Sequence, residues 1–306
     1  MMRACLQCKL HCALLCLLAT TSLFADPGNH PISMWQVEGQ ENRVFLLGSI
    51  HLLREKDYPI SSAIYAAYRD SEALYMELDM DDADPLADQM LANELGLIPG
   101  NGSLREVLGP ATYAEAEALA AAAKIPLHLL DRAEPWYAAI QVELIMLLRI
   151  GFNPLYGIET HLTEMAKSDN KEIVGFESVR QQLDFLDNLS AEAQREMFMQ
   201  ALADSADIAS MMDTLIDAWH NGDTTFLEEN MLSEMQNFPE LNKIIVTNRN
   251  LAWTEKIEEL LTHDRDYLIV VGAMHLIGEY GVPELLTKQG FEVRQMQELI
   301  STIDAE

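Results

Sequence analysis

Cysteine is almost absent from this chain. All four, Cys5, Cys8, Cys12 and Cys16, lie near the start of 306 residues, and none follows. Everything after Cys16 therefore lacks a thiol nucleophile, a thiolate metal ligand and a disulfide, even in a compartment where disulfides persist. The close spacing of the four is read as leader content and not as a zinc cluster. Cations are also scarce: 20 Lys and Arg stand against 49 Asp and Glu, a net charge of −29 with His neutral. That balance excludes nucleic acid as a partner, because phosphate binding needs clustered cations. A Gly-x-Ser-x-Gly elbow, a phosphate-binding loop and a dinucleotide fingerprint are missing too, so a serine triad and a nucleotide site find no support.

No apolar run reaches the roughly 20 residues that cross a bilayer. Arg3 and Lys9 are followed by the run Leu10 to Leu18 and then by Leu23-Phe24-Ala25 before Asp26-Pro27. This is the layout of a cleavable signal peptide over residues 1–25. The expected mature chain begins at Asp26, is exported to the periplasm or beyond, and keeps no membrane span. Residues 26–306 are long enough for one large domain with its own core, and residues 84–240 are expected to form a helical insertion within it.

Met34 to Val37 and Val44 to Leu47 flank Gly39-Gln40-Glu41-Asn42, which predicts a β-hairpin. A helix over Pro59 to Asp70 and a strand over Ala73 to Leu78 follow, and Asp79 to Asp84 reads as an acidic loop. Helical spacing covers Asp84 to Leu95, Thr112 to Lys124, Trp136 to Arg149 and an unbroken stretch from Ala191 to Trp219. Met197, Met199, Met211 and Met212 in that stretch read as packing residues. Short strands are expected at Leu127 to Leu130, which would bury His128, and at Glu172 to Phe176. Asn221-Gly222-Asp223 ends the long helix. The chain then gives helix (Lys243 to Leu261), strand (Tyr267 to Val271), helix (Val282 to Gln289) and strand (Phe291 to Gln295).

Two stretches match. Val44-Phe45-Leu46-Leu47-Gly48-Ser49-Ile50-His51-Leu52 and Leu268-Ile269-Val270-Val271-Gly272-Ala273-Met274-His275-Leu276 each give a buried strand, a glycine turn and a histidine. In each, a helix started by a proline (Pro59, Pro283) and a further strand follow. The expected fold is α/β: a mixed sheet built from two β-GxxHL-α-β half-units enclosing the insertion. Ligands of such sheets bind where chain leaves the carboxyl ends of strands, which places both histidines at a crevice rim. Gly48 and Gly272 suit a tight exit where an ion, cofactor or substrate approaches the backbone.

Two neutral imidazoles supply two metal ligands, and a carboxylate at a neighbouring strand end supplies a third while leaving room for water. Glu77 is the leading candidate for that third ligand. Glu55 and Glu279, each four residues after a histidine, are second choices. Glu177 ends a strand, and Glu159 opens a helix where it could also complement the dipole. Arg249 could clamp a substrate carboxylate or an oxyanion, or form a plain salt bridge.

Gly48-Ser49-Ile50-His51, Tyr75-Met76-Glu77-Leu78, Glu134-Pro135-Trp136, Gly157-Ile158-Glu159, Gly175-Phe176-Glu177, Trp219-x-x-Gly222-Asp223, Arg249-Asn250-x-x-Trp253 and Val271-Gly272-Ala273-Met274-His275-Leu276, in this order, resemble the TraB/PrgY/GumN family. The likeness runs from about Trp35 to Met296. It implies metal-dependent peptidase chemistry, as in the animal Tiki relatives, with His51, Glu77 and His275 on a divalent ion: manganese, cobalt or zinc. The acid after Gly157-Ile158 is often aspartate in that family and is Glu159 here. The fold also resembles erythromycin esterases and a haem-binding lipoprotein group. Three functions stay open on this reading. The first is a hydrolase of peptides or small molecules in which Glu177 or Glu159 is the general base and Arg249 stabilises developing negative charge. The second is a non-catalytic haem or metal carrier, and the third is an adaptor acting through the insertion.

Overall fold

The computed structural model describes residues 30–298 apart from residues 206 and 207. The expected signal peptide lies outside the described residues. Six strands form one sheet: β1 (Pro31–Glu38), β2 (Arg43–Ser49), β3 (Ala73–Leu78), β4 (Glu172–Glu177), β5 (Tyr267–Gly272) and β6 (Val293–Gln297), in the order β4-β3-β5-β2-β1-β6. β2, β3, β4 and β5 are mutually parallel, and β1 is antiparallel to both β2 and β6. The sheet is therefore mixed, and β6 runs in the direction of β2.

β2 and β5 are covered on both faces, which is why they read as unbroken apolar runs and not as alternating ones. Phe45, Leu47, Leu268 and Val270 enter the core on one side of the sheet, and Val44, Leu46, Ile269 and Val271 that on the other. Each fully buried side chain of this kind contributes roughly 1.5–3 kcal/mol. A third core lies among helices, around Leu104, Tyr113, Ala139 and Phe198.

Among the described residues the α-helices of seven residues or more are α1 (Ser62–Asp70), α2 (Pro85–Gly96), α3 (Leu104–Ala122), α4 (Pro135–Arg149), α5 (Ile158–Asp169), α6 (Val179–Asp187), α7 (Ala191–Asp204), α8 (Ile208–His220), α9 (Asn248–Leu260) and α10 (Val282–Lys288). The two matching units run β2-α1-β3 and β5-α10-β6. They interleave, because β5 enters the sheet between β2 and β3. Ser49 pairs with Gly272 in the parallel register of β2 and β5, so the two histidine turns leave adjacent strand ends side by side.

Several expectations are corrected. Leu127–Leu130 is a 3-10 turn that buries Leu127 and Leu130 and leaves His128 exposed; burial three residues apart follows the threefold period of such a turn, whereas a strand would put Leu127 and Leu129 on one face. The stretch read as one helix is two, α7 and α8. α1 begins at Ser62 behind the N-cap Ser61, whose side chain accepts from the Ala63 amide, so Pro59 precedes the helix instead of starting it. Pro283 does stand in the first turn of α10. Residues 84–240 are mainly helical but also contain β4, which extends the sheet beside β3.

Candidate functional site

The turn after β2 presents His51 with its side chain 60% exposed to the crevice. Its Nδ1 lies 2.7 Å from Glu159 Oε1, and Ser49 Oγ donates to that same oxygen. Glu159 comes from the first turn of α5, and the Ile158 amide donates to the Ile50 carbonyl at 3.2 Å, tying that helix start to the histidine turn. This explains Gly157: a Cβ there would stand 2.1 Å from the His51 carbonyl oxygen. Glu159 raises the His51 pKa to about 9, and the Glu159 carboxyl, which burial alone would raise, is lowered by His51.

His275 follows β5 in a 3-10 turn and is only 4% exposed. Its Nδ1 lies 2.6 Å from Asn250 Oδ1, and its Nε2 lies 3.1 Å from Arg249 Nη1. Arginine can only donate, so Nε2 holds the lone pair and the Nδ1 proton goes to Asn250. The Asn250 amide nitrogen in turn donates to the carbonyls of His275 and Tyr280. Burial lowers the His275 pKa to about 4, with Arg249 and His51 opposing its protonation and Glu77 favouring it. His275 is therefore neutral at physiological pH.

Glu77, at the end of β3, accepts at Oε1 from the Gly272 amide at 2.8 Å, and at Oε2 from Arg249 Nη2 at 2.5 Å and Gln182 Nε2 at 3.2 Å. Burial would raise its pKa, but His275, Arg249, His51 and the Gly272 amide hold it at about 2. The three groups singled out as metal ligands converge. A Cβ placed on Gly272 would lie 3.4 Å from Glu77 Oε1, 3.5 Å from His51 Nε2 and 3.6 Å from His275 Cδ2. Both imidazoles thus face one point on one side of the sheet, and any side chain at residue 272 would fill it. Gly48 serves a different contact, since a Cβ there would sit 3.0 Å from Ala273 Cα in the neighbouring turn.

Arg249, on α9, is 7% exposed and uses every donor of its guanidinium. Nε and Nη2 donate to Glu177, Nη2 also to Glu77, and Nη1 to the Ile245 carbonyl and to His275. Its Cζ stacks 4.6 Å from the Trp253 ring centroid. Glu177 is equally committed, accepting from Trp253 Nε1 at 3.1 Å and Gln182 Nε2 at 3.1 Å besides Arg249. Arg249 and Glu177 therefore form a buried scaffold that fixes Glu77 and His275, with no donor or acceptor left for a substrate. Glu159 differs: its Oε2 is buried and has no hydrogen-bond partner. The second-choice acids stand apart, Glu55 in an exposed turn and Glu279 beside Lys288.

Sequence reasoning missed Asn250 and Gln182 as site residues. Asn250 adjoins Arg249, but nothing in the spacing of Gln182 marks it. Two cavities of about 310 Å³ each meet at this centre, both touching His51, Leu52 and Glu77.

The donor chemistry suits a divalent ion: each imidazole has its Nδ1 fixed by a partner, as ligating histidines do, and a carboxylate stands beside them. Among the described residues no group of three or more His, Cys, Asp or Glu is disposed to hold an ion as it stands. The cation that meets Glu77 and His275 here is the Arg249 guanidinium.

The fold and site define an α/β protein with two interleaved glycine-histidine turns and an acidic cluster at the strand ends. The chain belongs to the TraB/PrgY/gumN family, whose model matches residues 33–295. It is 24% identical over 261 residues to the "Uncharacterized protein YbaP" of Escherichia coli (strain K12), covering 80% of this chain and 88% of that one. It is 22% identical over 267 residues to an "Uncharacterized protein" of Treponema pallidum (strain Nichols), covering 83% and 80%. No solved structure matches it. Among the described residues no helix is long and apolar enough to cross a membrane.

Proposed function

We propose that this protein is an exported metal-dependent hydrolase, acting on peptides, whose ion is held by His51, Glu77 and His275. The observation that carries the reading is the approach of His51, His275 and Glu77 to the single point over Gly272. Manganese, cobalt and zinc all accept this set of two imidazoles and a carboxylate. Such an ion supplies polarisation of the scissile carbonyl and a lowered pKa for water.

The chain's own groups divide the remaining work. Glu159 is the general base: its Oε1 holds His51 and Ser49, while Oε2 is uncommitted and the side chain lines one of the two cavities. Asn250 keeps the His275 lone pair on Nε2. Arg249 and Glu177 orient Glu77 instead of acting on substrate, and an ion competes with the guanidinium for Glu77 and His275.

The test is metal analysis of the purified protein coupled to an unbiased peptide-cleavage screen. We expect one ion per chain and cleavage that chelation removes. Folded, ion-loaded protein that cleaves no peptide would end the hydrolase reading, and a Soret band on haem titration that is lost in His51→Ala would replace it with haem binding.

A further inference from the structure

Of the two cavities meeting at His51 and Glu77, one has an apolar wall that the chemistry above leaves unused. Leu147, Met212, Leu215, Leu227, Met231 and Ile245 build it, with Met274 beside His275. Apart from Ser49, its polar lining consists of the site's own His51, Glu77, Arg249 and His275. A charged group packed against these six side chains would lose its water and meet no polar atom of theirs but the thioether sulfurs. The cavity's volume of about 310 Å³ has room for a large side chain. Methionine walls adapt to straight and branched apolar shapes alike. Met212, read from sequence as a packing residue, packs against the core and also lines this cavity. The other cavity shares His51, Leu52 and Glu77 with this one and runs along Met76, Leu78, Met80 and Pro154. A ligand at the site thus has space in two adjoining cavities.

We infer that the methionine-walled cavity is the specificity subsite of this enzyme and takes the side chain of a large apolar residue, leucine, methionine or phenylalanine, next to the bond that is cut. The inference rests on the hydrolase reading for the cut and on the cavity alone for the binding. The reaction is hydrolysis within a chain: the C–N bond breaks, water's oxygen bonds to the carbonyl carbon, and its proton passes by way of Glu159 to the leaving amine. With His51 held on the ion, neither cavity offers a free Lys or Arg donor to a terminal carboxylate, so the chain runs on through the second cavity instead of ending at the site.

Two readouts test it. In protein labelled at the methionine methyls, titration with N-acetyl-leucinamide is expected to shift the resonances of Met212, Met231 and Met274 and to leave those of Met34 and Met90 in place. N-acetylglycinamide is expected to shift none. Leu215→Trp, or Met231→Trp should the first variant fail to fold, fills the cavity and removes the shifts. In a library of peptides blocked at both termini, ion-loaded protein is expected to prefer leucine, methionine or phenylalanine over glycine and aspartate at one subsite by at least about tenfold. The filling variant should move that preference to alanine and glycine. Absent shifts at the highest soluble ligand concentration, or a cleavage profile that the filling variant leaves unchanged, would overturn the subsite. Shifts without any cleavage would support the subsite and sink the hydrolase reading alone.

Discussion

Arg249 Nη1 stands 3.1 Å from His275 Nε2 and donates into the lone pair that a metal ion would need. The same guanidinium holds Glu77 and Glu177, so one side chain from α9 reads out the ends of β3, β4 and β5.

Arg249→Ala is expected to destabilise the metal-free protein by about 3–5 kcal/mol, because it leaves two buried carboxylates unpaired. Urea denaturation measures this. Adding manganese or zinc should restore more stability to this variant than to the parent, since the ion replaces a missing positive charge and meets no competitor. Unchanged stability in the variant would remove Arg249 from the scaffold.

The alkaline side of the stability profile belongs to His51. A folded-state pKa raised to about 9 by Glu159, against about 6.5 for the unfolded chain, stabilises the protein fully below about 6.5. That contribution is lost as pH rises through about 9. The melting temperature of metal-free protein should therefore fall between pH 7 and pH 9.5, and His51→Gln should flatten that fall. The ring edge faces water, so screening limits the size of the effect. An identical alkaline slope in parent and variant would contradict the pairing.

Glu159 and Glu177 should separate cleanly. Glu177→Gln disturbs the bonds from Arg249 and Trp253 and is expected to lower stability by about 1–3 kcal/mol in denaturant titrations. Glu159→Gln should leave an ion-binding, folded protein whose hydrolysis falls by at least about a hundredfold. Comparable kinetic losses at comparable stability in both would undo the assignment of the base.

Much of this site was legible because its parts are local. The apolar runs of β2 and β5, the glycines that follow them and the histidines three residues on are read within nine residues each, and the parallel register then brings them together. The Arg249–Glu177 pairing was not legible, because it joins residues far apart in sequence and depends on β4 lying beside β3. Gln182 sits on α6 with no periodic mark, and its bonds to Glu77 and Glu177 arise from tertiary placement. The break between α7 and α8 follows a stretch whose helical pattern contains no glycine or proline to announce it. Leu127 to Leu130, four residues with three leucines, satisfies a strand and a tight turn equally until the fold chooses which pair to bury.

The N-terminus gives an independent check on export. Intact-mass analysis of protein expressed with its full chain should find the start at or within a few residues of Asp26. Retention of Met1 to Ala25 would mean an anchored protein instead.

The central claim is that His51, Glu77 and His275 hold one ion, and calorimetric titration of manganese or zinc into metal-free protein tests it most directly. The account predicts one site per chain in the parent, and loss of that site in His51→Ala, Glu77→Gln and His275→Ala, each confirmed as folded by circular dichroism. A parent that binds no ion, or three folded variants that bind it as the parent does, would contradict the account.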